Sequence, residues 1–186
     1  MTLKPPERLH HVAYLTRDTQ KTVEFYTRLL NMKLVGSVQS EKVPSTGEPH
    51  PHLHTFFQLA DGGCVAFFEI LGLPEREDTT VVPGWVRHLA LRVPDQDSLL
   101  RYKKQLEANG VEVLGPVDHG FCHSIYFHDP NGIRLELTWD IRGFVEEDAV
   151  TAAEAVQDWN RRTGRLSMST AGPRAAPRPP LVDTPR

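Results

Sequence analysis

LHHVAYLTRDTQKTVEFYTRLL, from Leu9 to Leu30, and VRHLALRVPDQDSLLRYKKQLE, from Val86 to Glu107, are two versions of one pattern, and that repetition decides the fold. At an offset of 77 residues His11 falls on His88, Asp18 on Asp95, Phe25 on Tyr102 and Leu29 on Leu106. Each copy opens on a short strand of β-branched and apolar residues, HVAYL or HLALRV. A polar turn follows, in which Asp18 or Asp95 is placed to cap a helix. A short side-chain oxygen there accepts from backbone N–H groups that the first helical turn leaves without partners. Apolar residues then recur at helical spacing: Phe25, Leu29 and Met32 in the first copy, Leu99, Tyr102 and Leu106 in the second. Gly110 suits the end of the second helix.

The later parts of the copies correspond with gaps. HTFFQLADGGCVAFFEIL reads as a hairpin turning at Asp61-Gly62-Gly63, and SIYFHDPNGIRLELTW as another turning at Asp129-Pro130-Asn131-Gly132. In both, the closing strand carries a glutamate between large apolar residues, Phe68-Glu69-Ile70 and Leu135-Glu136-Leu137. The expected fold is α+β: two pseudo-symmetric βαβββ modules, residues 8–72 and 84–140, forming a curved mixed sheet around a metal site. These make one domain over residues 1–142. DAVTAAEAVQDWNRR predicts an amphipathic C-terminal helix within 143–163, with Ala149, Ala152, Val156 and Trp159 along one side. Residues 164–186 are rich in Pro and Arg with little to bury, and read as a disordered tail.

Composition narrows the function classes. The 186 residues are 39% hydrophobic and 24% charged with net charge −3, which offers no attraction for nucleic acid or an anionic membrane. No apolar run approaches the ~20 residues that span a bilayer. MTLKPPERLHH lacks the apolar core of a secretory signal, and Cys64 and Cys122 are too few for a disulfide framework, so a cytoplasmic protein is expected. The compositional oddity is nine histidines.

Each module offers a histidine on its first strand and a glutamate on its last: His11 and Glu69, His88 and Glu136. Imidazole nitrogen and carboxylate oxygen suit a divalent first-row ion such as iron, manganese, nickel or zinc. Taken singly, a strand histidine reads as a hydrogen-bonded structural residue. A glutamate flanked by large apolar residues is harder to dismiss, because burying an unpaired carboxylate is expensive. The recurrence of His-then-Glu in both modules turns the reading toward a metal. His10 competes with His11, and the repeat favours His11, because Arg87 stands opposite His10.

With these residues the chain resembles the vicinal oxygen chelate superfamily, which includes glyoxalase I, fosfomycin- and bleomycin-resistance proteins and extradiol ring-cleavage dioxygenases. The resemblance covers residues 8–140. Val117-Asp118-His119, then Ile125-Tyr126, Asp129-Pro130-Asn131-Gly132 and Glu136, matches the extradiol signature throughout and resembles the small members of that group, some of which cleave 2,3-dihydroxybiphenyl. The resemblance implies an Fe(II) triad of His11, His88 and Glu136 with open positions for a catecholate and dioxygen, and a place in aromatic hydrocarbon catabolism. It implies that His119 and Tyr126 hydrogen-bond the diol or bound oxygen and handle protons. It also implies a homo-oligomer, with the Trp159 helix a candidate contact.

Glu69 carries the alternative. As a fourth metal ligand it would leave two coordination positions, enough to chelate vicinal oxygens but not to admit dioxygen. That would point to a glyoxalase I-like, metal-dependent lyase or isomerase. Phe56, Phe57, Phe67, Phe68, Phe121 and Trp139 are candidates for an aromatic wall, and Cys122 reads as packing. His52 and His54 share a strand face, as a second metal site or as acids behind the first.

Overall fold

The computed structural model describes residues 4–73 and 82–163. Two compact units divide the chain, Met1–Arg142 and Gly143–Arg186. In the first unit, β1 (His11–Leu15) leads to α1 (Thr19–Glu24), which continues through a π-helical turn, Phe25–Leu29, before β2 (Lys33–Ser40), β3 (His52–Gln58) and β4 (Cys64–Ile70). The second module repeats this with β5 (Leu89–Arg92), α2 (Gln96–Ala108), β6 (Leu114–Asp118), β7 (Cys122–His128) and β8 (Arg134–Asp140). Each module builds its own four-stranded mixed sheet, in the orders β1-β4-β3-β2 and β5-β8-β7-β6. β1 runs parallel to β4 and β5 to β8, and the other pairs are antiparallel. The α+β pair of βαβββ modules is thus observed.

Both helices start where a capping aspartate was expected. Asp18 accepts the Lys21 N–H and Asp95 the Ser98 N–H, which satisfies donors that the first turn cannot. Hydrogen bonding to Lys21 N–H holds the Asp18 carboxyl below its usual range, and bonding to Ser98 does the same for Asp95. Phe25, Leu29 and Met32 are all buried, although Met32 lies beyond the helix, just before β2. At the hairpin turn, a Cβ on Gly63 would come 2.7 Å from the Leu9 carbonyl oxygen, so a glycine is what lets β4 start this close to β1.

Alternation along the strands separates two faces. Val65, Phe67 and Phe57 in the first sheet, and Ile125, Phe127, Leu135 and Leu137 in the second, join Tyr26, Leu29, Leu99 and Leu106 in one core. The opposite faces carry candidate site residues: His11, His52, His54 and Phe68 in one, Glu136 and Tyr126 in the other.

A buried polar network ties the modules together. The fully buried Tyr26 donates its Oη to Asp129 Oδ2 at 3.1 Å, and Asp129 also accepts from the N–H groups of Asn131 and Ile133. Thr16 Oγ1 donates to Asn131 Oδ1 at 2.8 Å, while Asn131 Nδ2 donates to Thr22 Oγ1. The Asp-Pro-Asn-Gly turn, expected only to close a hairpin, therefore also docks the second module against the first helix.

The second unit contains α3 (Glu146–Arg162). Its acidic first turn and its Arg161 and Arg162 match the helix dipole. None of its residues is buried, and Val156 and Trp159 are exposed. Residues 164–186, read as a tail, lie outside the described residues. No helix among the described residues is long and apolar enough to cross a membrane.

Candidate metal centre

β8 and the entry to β5 bring His88 and Glu136 together. Glu136 pairs with Ala90 across the β5–β8 ladder and with Tyr126 across β7–β8. Its neighbours Leu135 and Leu137 point into the core, which turns the carboxylate to the other face, where it is 7% exposed. Glu136 Oε2 stands 3.0 Å from His88 Nε2. His88 Nδ1 donates to the Trp85 carbonyl oxygen at 3.2 Å, which orients the ring and leaves Nε2 as the donor atom toward a metal. Two neighbouring ligands of an octahedral ion, with bonds of about 2.1 Å, stand about 3.0 Å apart. The spacing and the chemistry of this imidazole–carboxylate pair therefore fit a divalent metal.

Tyr126 lies beside the pair. Its Oη is 2.7 Å from His119 Nε2. Burial, and then the charge of Glu136, raise the Tyr126 pKa, so the hydroxyl stays protonated. His119, Tyr126, Glu136 and His88 thus form one continuous polar cluster. Arg134, not singled out from the sequence, has its guanidinium carbon 4.6 Å above the centre of the Tyr126 ring. A basic residue two places before a site glutamate on a strand shares its face by alternation, and that was the signal available.

His11 belongs to the other sheet. Its Nδ1 is 2.8 Å from His10 Nδ1, so His10 steadies the ring from the side. His54 is buried behind it, with ring centres 6.0 Å apart. His54 Nδ1 donates to the Phe67 carbonyl oxygen, and the ring stacks on Phe68 at 3.6 Å. Burial pushes the His54 pKa down, leaving a neutral imidazole with a lone pair on Nε2. Among the described residues, no three of His, Cys, Asp and Glu stand close enough to hold a metal ion. His88 and Glu136 are together; His11 is not with them.

Glu69 is elsewhere. The ladders place Leu15 beside Phe68 and His54 opposite Phe68, so Phe68 shares the His11 face and Glu69 takes the opposite one. There Glu69 Oε2 accepts the Thr19 N–H at 2.8 Å, at the start of α1. Cys64–Ile70 and Arg134–Asp140 have the same length and the same burial pattern. Superposed strand on strand, Ala66 stands where Glu136 does, and Glu69 matches Trp139. The pairing of Glu69 with Glu136 read from the sequence is therefore corrected: three positions separate Glu69 from the true counterpart, an odd number, which reverses the face.

The aromatic candidates divide in the same way. Phe57 and Phe67 are fully buried core. Phe56 and Phe68 contact the histidines of the His11 face. Trp139 packs on His123, Phe121 is 37% exposed, and Cys122 is buried.

A family profile described as the Glyoxalase/Bleomycin resistance protein/Dioxygenase superfamily matches residues 8–137. The chain is 32% identical over 138 residues to the Bacillus subtilis protein named "Putative ring-cleaving dioxygenase MhqA", covering 73% of this chain and 41% of that one. It is 31% identical over 140 residues to biphenyl-2,3-diol 1,2-dioxygenase 3 of Rhodococcus globerulus, covering 75% of this chain and 66% of that one. It thus spans less than two thirds of the length of either relative. Among solved structures, the fosfomycin resistance protein FosX of Listeria monocytogenes, complexed with manganese(II) and sulfate, shares the fold. Its TM-score is 0.52 at 23% identity, over 78% of this chain and 99% of that one. On the match over residues 8–137, the chain belongs to the Glyoxalase/Bleomycin resistance protein/Dioxygenase superfamily.

Proposed function

We propose that the chain is an extradiol ring-cleaving dioxygenase for aromatic vicinal diols, with 2,3-dihydroxybiphenyl among its candidate substrates, serving aromatic catabolism in a reducing cytoplasm. In this reading His11, His88 and Glu136 hold Fe(II), with manganese(II), nickel(II) and zinc(II) as alternative occupants. The observation that carries it is Ala66: a methyl group occupies the place symmetric with Glu136, so that place offers no second carboxylate as a fourth ligand. The relatives named as ring-cleaving and diol dioxygenases support the same reaction class. The glyoxalase-like alternative rested on Glu69, whose carboxylate is engaged with Thr19.

When bound, the ferrous ion supplies the coordination chemistry that brings the diol and dioxygen together. The protein's own groups bind and manage protons. Tyr126 keeps its proton and can donate it to a diol oxygen, while His119 Nε2, 2.7 Å away, can take that proton and return it. Phe56 and Phe68 offer apolar faces beside His11.

The triad is completed, in this proposal, between two copies of the chain. β1 and β5 are the end strands of their sheets, and an end strand offers unpaired backbone groups to another chain. Leu9, Trp85 and Val86, just before these strands, are 52%, 66% and 46% exposed. A two-fold pairing of β1 in one copy with β5 in the other brings His11 to the His88–Glu136 pair twice over. The test is oxygen uptake by anaerobically iron-loaded protein with a panel of catechols that includes 2,3-dihydroxybiphenyl. A coloured ring-fission product is expected. No uptake with any diol in the panel would end the proposal.

A further inference from the structure

Arg134 is the charged group of the second sheet that the reaction leaves unexplained. It is the first residue of β8, two positions from Glu136 and on the same face. Its guanidinium lies over the Tyr126 ring, whose hydroxyl meets His119. Arg134 is only partly exposed, and among the described residues it makes no hydrogen bond or ion pair. Arg92, at the other end of the same sheet, shows the ordinary outcome: its Nε donates to Asp140 Oδ2 at 2.7 Å. On this face His128 is paired with Arg134 across β7–β8. Glu136, the nearby acid, is engaged with His88.

A guanidinium left with all its donors, its carbon 4.6 Å over the Tyr126 ring on the sheet face that carries Glu136, is suited to a planar anion that approaches two donors at once. Resting on the dioxygenase reading above, we propose that Arg134 is a specificity-determining residue that selects vicinal diols carrying a carboxylate substituent. The two hydroxyls lie toward Glu136 and His88, and the carboxylate lies across the Tyr126 ring on the guanidinium.

The test compares 3,4-dihydroxyphenylacetate with 4-methylcatechol, which lacks the carboxylate. Dissociation constants are measured by calorimetry on the zinc-loaded full chain, where no turnover intervenes, and kcat/KM values on the iron-loaded chain. The wild type is expected to bind the acid at least tenfold more tightly. Arg134→Gln should reduce that preference at least tenfold, Arg134→Lys should keep part of it, and Arg134→Glu should invert it toward dopamine, whose side chain is cationic. An acid-to-neutral ratio equal in the wild type and Arg134→Gln overturns the inference, even if both diols are cleaved. Binding with the expected ratios but no oxygen uptake sinks the dioxygenase reading and leaves the anion site standing. Failure to bind either diol sinks both.

Discussion

Glu69→Gln separates the two chemistries this fold could perform. The structure makes Glu69 the partner of the Thr19 N–H, 2.8 Å away at the first turn of α1. Glutamine keeps an oxygen that can accept this bond and removes the negative charge from the helix N-terminus. A charge so placed is worth about 0.3–1 kcal/mol. In a chain of this size, that lowers the melting midpoint by roughly 1–4 °C. Metal content should not change. Glu136→Gln removes one of the two donors that stand 3.0 Å apart, and should weaken metal affinity beyond the ~10–100-fold that loss of an outer partner costs. The assay is elemental analysis after anaerobic iron loading and desalting, with thermal unfolding followed in parallel. If Glu69→Gln empties the site as thoroughly as Glu136→Gln does, the face assignment is wrong and a four-ligand centre must be considered.

Neither His11→Ala nor Glu136→Gln homodimers should retain metal, but a 1:1 mixture after subunit exchange should regain about one quarter of the wild-type iron. Half of its dimers are mixed, and each mixed dimer carries one intact site out of two; recovery of none would place the whole triad within one chain. Tyr26→Phe deletes a buried donor to Asp129 and should destabilise the fold by about 1.5–3 kcal/mol, measured by urea unfolding. Phe57→Ala, at a fully buried core position, should cost about 3–5 kcal/mol in the same assay. The Asp95 carboxyl titrates below its usual range in the folded chain, so its capping contribution is present at neutral pH and lost as pH falls through that lowered value. The gap in urea midpoint between wild type and Asp95→Ala should be full at pH 7 and closed well below about pH 4. A gap that persists in acid would refute this.

The parts of the molecule that repeat were legible, because repetition reports on local physics. HVAYL is β1 residue for residue, both aspartate caps are in place, and both hairpins turn where Gly, Asp, Asn and Pro gather. Register was not legible. The front halves of the modules correspond at an offset of 77, whereas β3 with β7 and β4 with β8 correspond at 70, because the connection from β2 to β3 in the first module is longer. The similar flanking residues of Glu69 and Glu136 concealed that difference, and only the hydrogen-bonded ladders resolve it. The approach of His88 to Glu136 could be anticipated from the repeat and the family resemblance. The grip of Tyr26 on Asp129, across 103 residues of chain, could not, since neither residue bears a local sign of the other. Arg134 went unread because a basic residue near a strand end ordinarily just meets solvent.

That grip has a bearing on how the gene could be rearranged. The loop that launches β8 is fastened to the opening helix through Tyr26, Thr16 and Thr22. Half of this duplicated protein is therefore not a spare: severed between the repeats, each fragment would lay bare a polar seam that its sibling normally covers. The two look-alike pieces fold as one, and they differ at the symmetric places 66 and 136, where one carries a methyl group and the other a carboxylate.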